Sequence, residues 1–140
     1  MKTFRLILVS LAVLTGCSSA LITNTGKQNG SSPAALQAPV PISPKPGTVF
    51  DRFPRTTEVM WKAVATAAAY AIEVDCFDCC TVGKWCSDTG ESAIAASGIK
   101  ATAFTFEWVG ANQGRWRVWA VRPDGQESPK SAWQDFSYTK

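Results

Sequence analysis

The sequence predicts an all-β protein, a single antiparallel β-sandwich of about seven short strands that follows a leader and a linker. From residue 56 onward, apolar and polar side chains alternate with a period of two, which is typical of strands with one buried face. Turn signals rich in glycine and proline, at residues 110–114 (GANQG) and 123–125 (PDG), separate the alternating segments. About seven short strands in roughly 100 residues indicate two packed sheets.

Residues 1–16 have the layout of a secretory signal peptide. Lys2 and Arg5 form a positive start, and residues 6–14 (LILVSLAVL) form an apolar run that is shorter than the roughly 20 residues a membrane span requires. Residues 14–17 read Leu-Thr-Gly-Cys, which resembles the lipobox of bacterial lipoproteins. The resemblance implies that palmitate and related acyl chains are attached to Cys17, which becomes the new N-terminus. The alternative is an ordinary signal peptide followed by a chance cysteine.

The lipobox resemblance also predicts where the protein resides. A lipidated Cys17 holds the chain to the cell envelope, outside the cytoplasm. No acidic residue follows the cysteine, since Ser18 stands there, and in a Gram-negative cell the family rule then implies the outer membrane.

The remaining chain divides into a tether and a domain. Residues 17–39 comprise the lipidated cysteine and a flexible tether, because residues 18–37 are rich in Ser, Asn, Gly and Ala without a sustained period. Residues 40–140 form the predicted sandwich. Five prolines in residues 38–54 exclude a central strand there and favour an edge strand followed by a turn.

Five further strands are predicted from the alternation. Their inward residues are, in order, Val59 and Trp61; Tyr70, Ile72 and Val74; Phe104 and Phe106; Trp116, Val118 and Ala120; and Phe136 and Tyr138. Residues 63–69 (AVATAAA) have helical propensity but are too few for a stable helix, so we expect a bend between two strands.

Several of these segments together resemble a fibronectin type III domain. Residues 58–70 resemble the second-strand tryptophan and third-strand tyrosine of that family. Residues 104–109 followed by 114–121 resemble its fifth and sixth strands, and residues 131–136 resemble its last. The resemblance covers about residues 40–140 and implies a fibronectin type III/immunoglobulin-like fold. Two features depart from the family: Trp116 replaces its usual tyrosine, and residues 76–86 form a cysteine-rich insertion.

Composition excludes several classes of function. The sequence has no histidine, which excludes Ser-His-Asp triads and histidine metal sites. Without Lys2 and Arg5, 12 basic side chains face 11 acidic ones, and this balance argues against a nucleic-acid partner.

Four cysteines, Cys76, Cys79, Cys80 and Cys86, remain once Cys17 is assigned to the lipid. An even number in an oxidising compartment predicts two disulfides, with three alternative pairings that include a vicinal Cys79–Cys80 bond. A four-thiolate zinc site is the sharper alternative, but only one CxxC is present. A redox-active CxxC is disfavoured because such motifs sit at a helix start beside a parallel sheet. We expect no metal and no cofactor.

The candidate ligand surface consists of aromatic and basic side chains: Trp85, Arg115, Arg117, Trp119 and Trp133. Strand parity places Trp61 and Trp116 inside and Trp119 outside. The outward residues have two interpretations. In the first, the outward side chains form a cation–π ladder made of Arg115, Arg117, Trp119 and Trp133. In the second, uncovered tryptophan rings form a platform on which sugars stack.

Glu73 and Asp75 share a face by parity, and two carboxylates can hydrolyse glycosides. The simpler interpretation is a set of cross-strand pairs with Arg115 and Arg117. We therefore expect no enzymatic activity. The sequence predicts a protein-interaction or structural module that binds another envelope protein. The alternative is a module that binds glycan or peptidoglycan.

Overall fold

The computed structural model describes residues 35–140, so the signal peptide, Cys17 and most of the predicted tether lie outside the described residues. The elements are β1 (Pro41–Ser43), β2 (Thr48–Phe50), β3 (Thr56–Trp61), β4 (Ala69–Cys76), a 3₁₀ helix (Cys86–Thr89), β5 (Ile94–Ile99), β6 (Ala103–Glu107), β7 (Gln113–Val121) and β8 (Gln134–Tyr138). Between residues 35 and 140, no helix has the length and apolar character needed to cross a membrane.

The strands form two sheets that confirm the predicted sandwich. One sheet has the order β1-β3-β6, and the other has the order β2-β8-β7-β4-β5. All neighbouring strands are antiparallel except β2 and β8, which pair in parallel. The predicted bend over residues 63–69 is confirmed as an irregular turn, although Ala69 already begins β4.

Aromatic side chains fill the space between the sheets. Trp61 on β3 packs against Tyr70 on β4 at 5.4 Å and against Trp116 on β7 at 6.5 Å, measured between ring centroids. Trp61 and Trp116 are 1% and 0% exposed, which confirms their predicted core positions. Full burial of one large apolar side chain contributes about 1.5–3 kcal/mol, so these rings hold the sheets together. Phe106 and Phe136 continue the aromatic core.

Trp116 occupies the position where the resembling family has tyrosine. Its indole Nε1 finds no hydrogen-bond partner among the described residues. The phenol Oη of Tyr138 instead lies 2.9 Å from the hydroxyl of Thr57, which joins the sheets through a buried polar contact.

Three features differ from the prediction. β2 and β5 were not foreseen, which gives eight strands in residues 35–140 rather than about seven. Leu36 lies in the predicted tether but is 7% exposed and belongs to the core, so the domain begins before residue 40. β4 is buried along both faces, whereas alternation predicted a solvent-facing polar side.

Residues 35–40, which precede β1, lie at the end of the sandwich where β3 and β7 end. The amide of Lys62 donates to the carbonyl of Val40 at 2.8 Å. An apolar groove there is lined by residues 35–40, 62–66 and 122–123. β7 begins at the opposite end, beside the cysteine-rich loop.

Candidate functional site

The outer face of the five-stranded sheet carries most of the residues singled out in the sequence. The register of β4 and β7 places Glu73 opposite Arg117 and Asp75 opposite Arg115. The predicted cross-strand pairs are therefore present. Each carboxylate lies within 3 Å of its arginine.

Asp75 has no exposed surface and is fully occupied by donors. Arg115 Nε and Nη2 donate to its Oδ2 at 3.0 and 2.9 Å. The hydroxyl of Ser87 donates to Oδ2 at 2.7 Å, and the backbone amides of Cys76 and Ser87 donate to Oδ1 at 3.0 and 3.1 Å. A buried carboxylate needs such compensation, and here it connects the sheet to the 3₁₀ helix.

Glu73 is 8% exposed and lies against two cations. Arg117 Nε and Lys130 Nζ donate to its Oε2 at 2.9 and 3.1 Å. Burial raises the pKa of Glu73, but the hydrogen bonds and charges of Arg117 and Lys130 outweigh burial and hold the pKa below its ordinary value. Glu73 is therefore ionised at neutral pH and has no proton to give as a general acid.

The observed ladder alternates in the order Trp85, Arg115, Trp133, Arg117, so it contains three of the predicted members together with Trp85, which was not predicted to belong to it. The guanidinium carbon of Arg115 lies 4.1 Å from the ring centre of Trp85 and 4.4 Å from that of Trp133. Arg117 lies 4.1 Å from the same Trp133 ring. Each contact contributes about 0.5–1 kcal/mol at exposed sites and more where water is excluded.

Trp119 is outside this sequence of contacts. Its cationic neighbour is Lys130, whose Nζ lies 4.3 Å from the ring centre. The expected stacking of Trp119 with an arginine is therefore replaced by a lysine from the loop after β7, while the other predicted ladder members come together. Together the ladder and Lys130 cover β4, which explains why both of its faces are buried.

The four cysteines lie at disulfide distance in two local pairs. Cys76 pairs with Cys79, and Cys80 pairs with Cys86, so the vicinal Cys79–Cys80 alternative is wrong. Within the described part of the chain, no group of three or more potential ligands is placed to hold a metal ion.

The cysteine-rich loop positions Trp85 over the sheet. Trp85 forms an isolated β-bridge with Phe77, and their ring centres lie 5.4 Å apart. Its backbone amide donates to Asp88 at 3.2 Å, and the adjacent Cys86 is fully buried. Trp85 is thus held both by its backbone amide and by the contact of its ring with Phe77.

A cleft of about 430 Å³ opens next to Trp85, at the end of the sheet where β7 begins. Its lining includes Trp85, Val49, Gln113, Asp135 and Ser137. Gln113 pairs across strands with Ser137, and Val49 pairs with Ser137 from the other side. The cleft therefore adjoins the Trp85 end of the ladder, and its lining residue Asp135 is the cross-strand partner of Arg115.

Sequence reasoning missed several residues of this face. Ser87 lies in the four-residue 3₁₀ helix and Lys130 lies in a loop, and neither segment is long enough or regular enough for a periodic pattern to indicate the direction of a side chain. The cleft depends on β2, a three-residue strand without a recognisable alternation. Asp135 and Ser137 alternate with buried Phe136 and Tyr138, and this parity predicted that both lie on the outer face, although it gave no indication of a cleft.

No protein-family model matches the chain, and no curated protein is similar to it. Among solved structures, a Fn3-like protein from Clostridium thermocellum is 22% identical, with a TM-score of 0.49, over 79% of this chain and 97% of that chain. A beta-1,2-glucanase from Parabacteroides distasonis is 17% identical, with a TM-score of 0.50, over 76% of this chain and 13% of that chain. The chain folds as a two-sheet β-sandwich, and similarity at these identities concerns the fold alone.

Proposed function

We propose that this chain is a lipid-anchored, extracytoplasmic lipoprotein whose β-sandwich acts as a non-catalytic protein-interaction or structural module at the bacterial cell envelope. The non-catalytic part of the proposal rests on the ion pairs and hydrogen bonds that occupy Glu73 and Asp75. Asp75 is paired with Arg115, and Glu73 is paired with Arg117 and Lys130, so these charges serve the fold.

Carboxylate catalysis has specific requirements that this pair does not meet. A general acid needs a carboxyl group that retains its proton near neutral pH, yet the pKa of Glu73 is lowered. Asp75 has no surface that a substrate could touch. The two carboxylates are structural partners of arginine.

The covered rings of Trp119 and Trp133 disfavour the glycan platform predicted for them. Two guanidinium groups lie against Trp133, and one ammonium group lies against Trp119. A stacking platform of this kind needs two neighbouring uncovered rings, and Trp133, between two guanidinium groups, does not provide one of them. These tryptophans therefore support the stability of the module.

A protein partner is supported by the other sheet. Val40 immediately precedes β1, Ile42 lies on β1 and Met60 lies on β3. These three side chains are 54%, 38% and 40% exposed, respectively. Apolar side chains grouped on a solvent-facing sheet are a feature of interaction surfaces. We propose that these three side chains contact a partner protein.

The extracytoplasmic location is supported by the two cysteine pairs, because disulfides persist in oxidising compartments. The proposed anchor is tested with the full chain expressed in a bacterial host. We expect the parent to fractionate with membranes and to incorporate radiolabelled palmitate. Cys17→Ser should do neither, and Ser19→Ala should behave as the parent. Membrane association of Cys17→Ser, or an unlabelled parent, would contradict the anchor.

The partner surface is tested by a photo-crosslinking residue placed at Met60 in living cells. We expect a defined protein adduct from Met60 that is lost when Ile42→Asp is added. The control position is Val82, which is 88% exposed and lies on the cysteine-rich loop. The same adduct from both positions, or none from Met60, would reject this surface.

A further inference from the structure

We propose that the cleft beside Trp85 binds a neutral saccharide unit. This goes beyond the proposed module function, since it adds a ligand class and a site that the ladder does not provide. The cleft combines an aromatic wall with three polar side chains that the fold itself leaves unused.

The polar side chains are Gln113, Asp135 and Ser137. Cross-strand pairing of Gln113 with Ser137 puts them next to each other, and Asp135 shares their face two residues earlier on β8. None of the three side chains makes a hydrogen bond or ion pair with any residue in the range 35–140. Glu73 and Asp75, on the same sheet, are in contrast fully partnered.

Their chemistry matches a polyol. An amide offers donors and an acceptor, a carboxylate offers acceptors, and a hydroxyl offers both. Vicinal sugar hydroxyls are simultaneous donors and acceptors, so they can satisfy such a set without a charge. The lining includes no lysine or arginine. Arg115 lies beside the cleft, opposite Asp135 in the register of β7 and β8, but its guanidinium donates to Asp75. A phosphate or carboxylate ligand would therefore be repelled by Asp135 and would have to compete with Asp75 for this cation.

The apolar part of the cleft suits the C–H surface of a sugar ring. Val49, which is 60% exposed, and Trp85 both line the cleft. Arg115 covers part of the Trp85 indole, at 4.1 Å, and fixes the ring together with the Phe77 bridge. A wall that is already fixed loses little conformational freedom when ligand binds.

Size limits the ligand to a short saccharide. The cleft volume of about 430 Å³ lies near the lower end of the range for small-molecule sites. It accommodates one pyranose ring, with neighbouring units extending into solvent. A long glycan would therefore be recognised through a single residue or an end group.

The cleft and residues 35–40 lie at opposite ends of the sandwich. The cleft lies where β7 begins, and residues 35–40 lie where β7 ends, eight residues along the strand or about 26 Å at 3.3 Å per residue. Sugar binding at the cleft is measurable without the anchor, so the saccharide site and the proposed lipidation of Cys17 are tested separately.

The test uses the purified full chain in detergent, titrated with neutral saccharides: glucose, galactose, N-acetylglucosamine and their β-linked disaccharides. Binding is followed by tryptophan fluorescence and by NMR saturation transfer from protein to sugar. We expect saturable binding of at least one saccharide. Gln113→Ala and Asp135→Ala should each weaken it about tenfold, which is 1.4 kcal/mol.

Both substitutions remove exposed side chains, so the thermal unfolding midpoint should stay unchanged and loss of binding will not reflect unfolding. Glu58→Ala removes an exposed carboxylate from the other sheet and should bind like the parent. No saturable binding at about 50 mM saccharide would overturn the proposal. Equal binding by Asp135→Ala would also overturn it, as would preference for choline or lysine, which would define a cation site. The Cys17→Ser fractionation separately tests the anchor.

Discussion

Arg115 donates two hydrogen bonds to a single oxygen of Asp75, from Nε at 3.0 Å and from Nη2 at 2.9 Å. Asp75 is fully buried, whereas the Arg115 side chain retains 18% exposure between two indole rings. The same carboxylate accepts from Ser87 and from the amide of Cys76. This pair is therefore the point where the sheet, the ladder and the cysteine-rich loop meet.

Asp75→Ala should strongly destabilise the domain. The substitution leaves the Arg115 charge without its partner in a mostly water-excluded site and removes the acceptor for two backbone amides. Breaking a buried pair from one side costs about 3–5 kcal/mol. The expected loss is measured as a lower free energy of unfolding in urea, followed by circular dichroism.

Two comparisons decide whether buried charge is the cause. Replacing both partners, as Asp75→Leu with Arg115→Met, should recover part of the loss, because no unpaired charge remains. Asp51→Ala breaks the exposed pair with Lys140 and should change stability by less than about 1 kcal/mol. If Asp75→Ala were no more harmful than Asp51→Ala, the structural role of Asp75 would be wrong.

Glu73 should make the domain sensitive to acid. Its pKa is lowered in the folded state, so its contribution to stability is complete above the unfolded-state pKa of about 4.3 and is lost as pH falls through the lower folded-state value. The parent should therefore lose more stability between pH 6 and pH 3 than Glu73→Gln does. Glu58→Gln, on the exposed face of β3, is the matched control and should keep the parental slope. Parallel curves for the parent and Glu73→Gln would contradict this prediction.

Gly114→Ala should test the packing at the start of β7. A Cβ atom there would lie 2.7 Å from Cζ2 of Trp108 and in still closer contact with the ring of Phe136. Both rings are buried, so relief requires movement of the core, and overpacking of this kind costs about 1–3 kcal/mol. The change is read as a fall in the thermal midpoint. Gln113→Ala alters the preceding, exposed residue of the same strand and should have little effect; equal effects would show that Gly114 is not tightly packed.

The cysteine pairs should survive as local bonds in the oxidised protein. Unfolding without reductant should expose no reactive thiol in residues 76–86, and peptide mapping should recover Cys76 with Cys79 and Cys80 with Cys86. Replacing Cys80 and Cys86 together by serine should cost about 2 kcal/mol, since the closed ring is short. The sheets should remain intact in that variant. Recovery of a Cys79–Cys80 bond would contradict the assigned pairing.

Alternation was sufficient to predict the central strands of this fold. The buried positions of β3 and β7, including Trp61 and Trp116, follow the period of two without exception. β2 and β5 were not predictable in the same way. β2 has three residues, and β5 is an edge strand of mostly small side chains in which Gly98 adopts φ +72°. Pairing with neighbouring strands, rather than local pattern, decides such segments.

Strand parity predicted the two arginines of the ladder, but it also placed Trp119 there, whereas a loop supplies Trp85. Arg115 and Arg117 face outward from β7, and Glu73 and Asp75 oppose them, as expected from strand alternation. Lys130 and the direction of Trp85 depend on connections whose conformations have no period. The cysteine pairing was likewise open, because four cysteines allow three connectivities. The cleft is lined by Trp85 of the cysteine-rich loop and by Val49 of β2, a strand that was not predicted, so the sequence did not predict the cleft.

The opposite placement of residues 35–40 and the Trp85 cleft has a mechanical consequence. A molecule held by its lipid at one end and by a wall sugar at the other would be pulled along the strand direction. Tension entering at residue 35 would act on β1, whose registered contacts with β3 are Pro41 with Trp61 and Ser43 with Met60. Leu36, inserted in the core, would resist the first displacement. Such a force would run along the strands and would load the contact of β1 with β3 in shear.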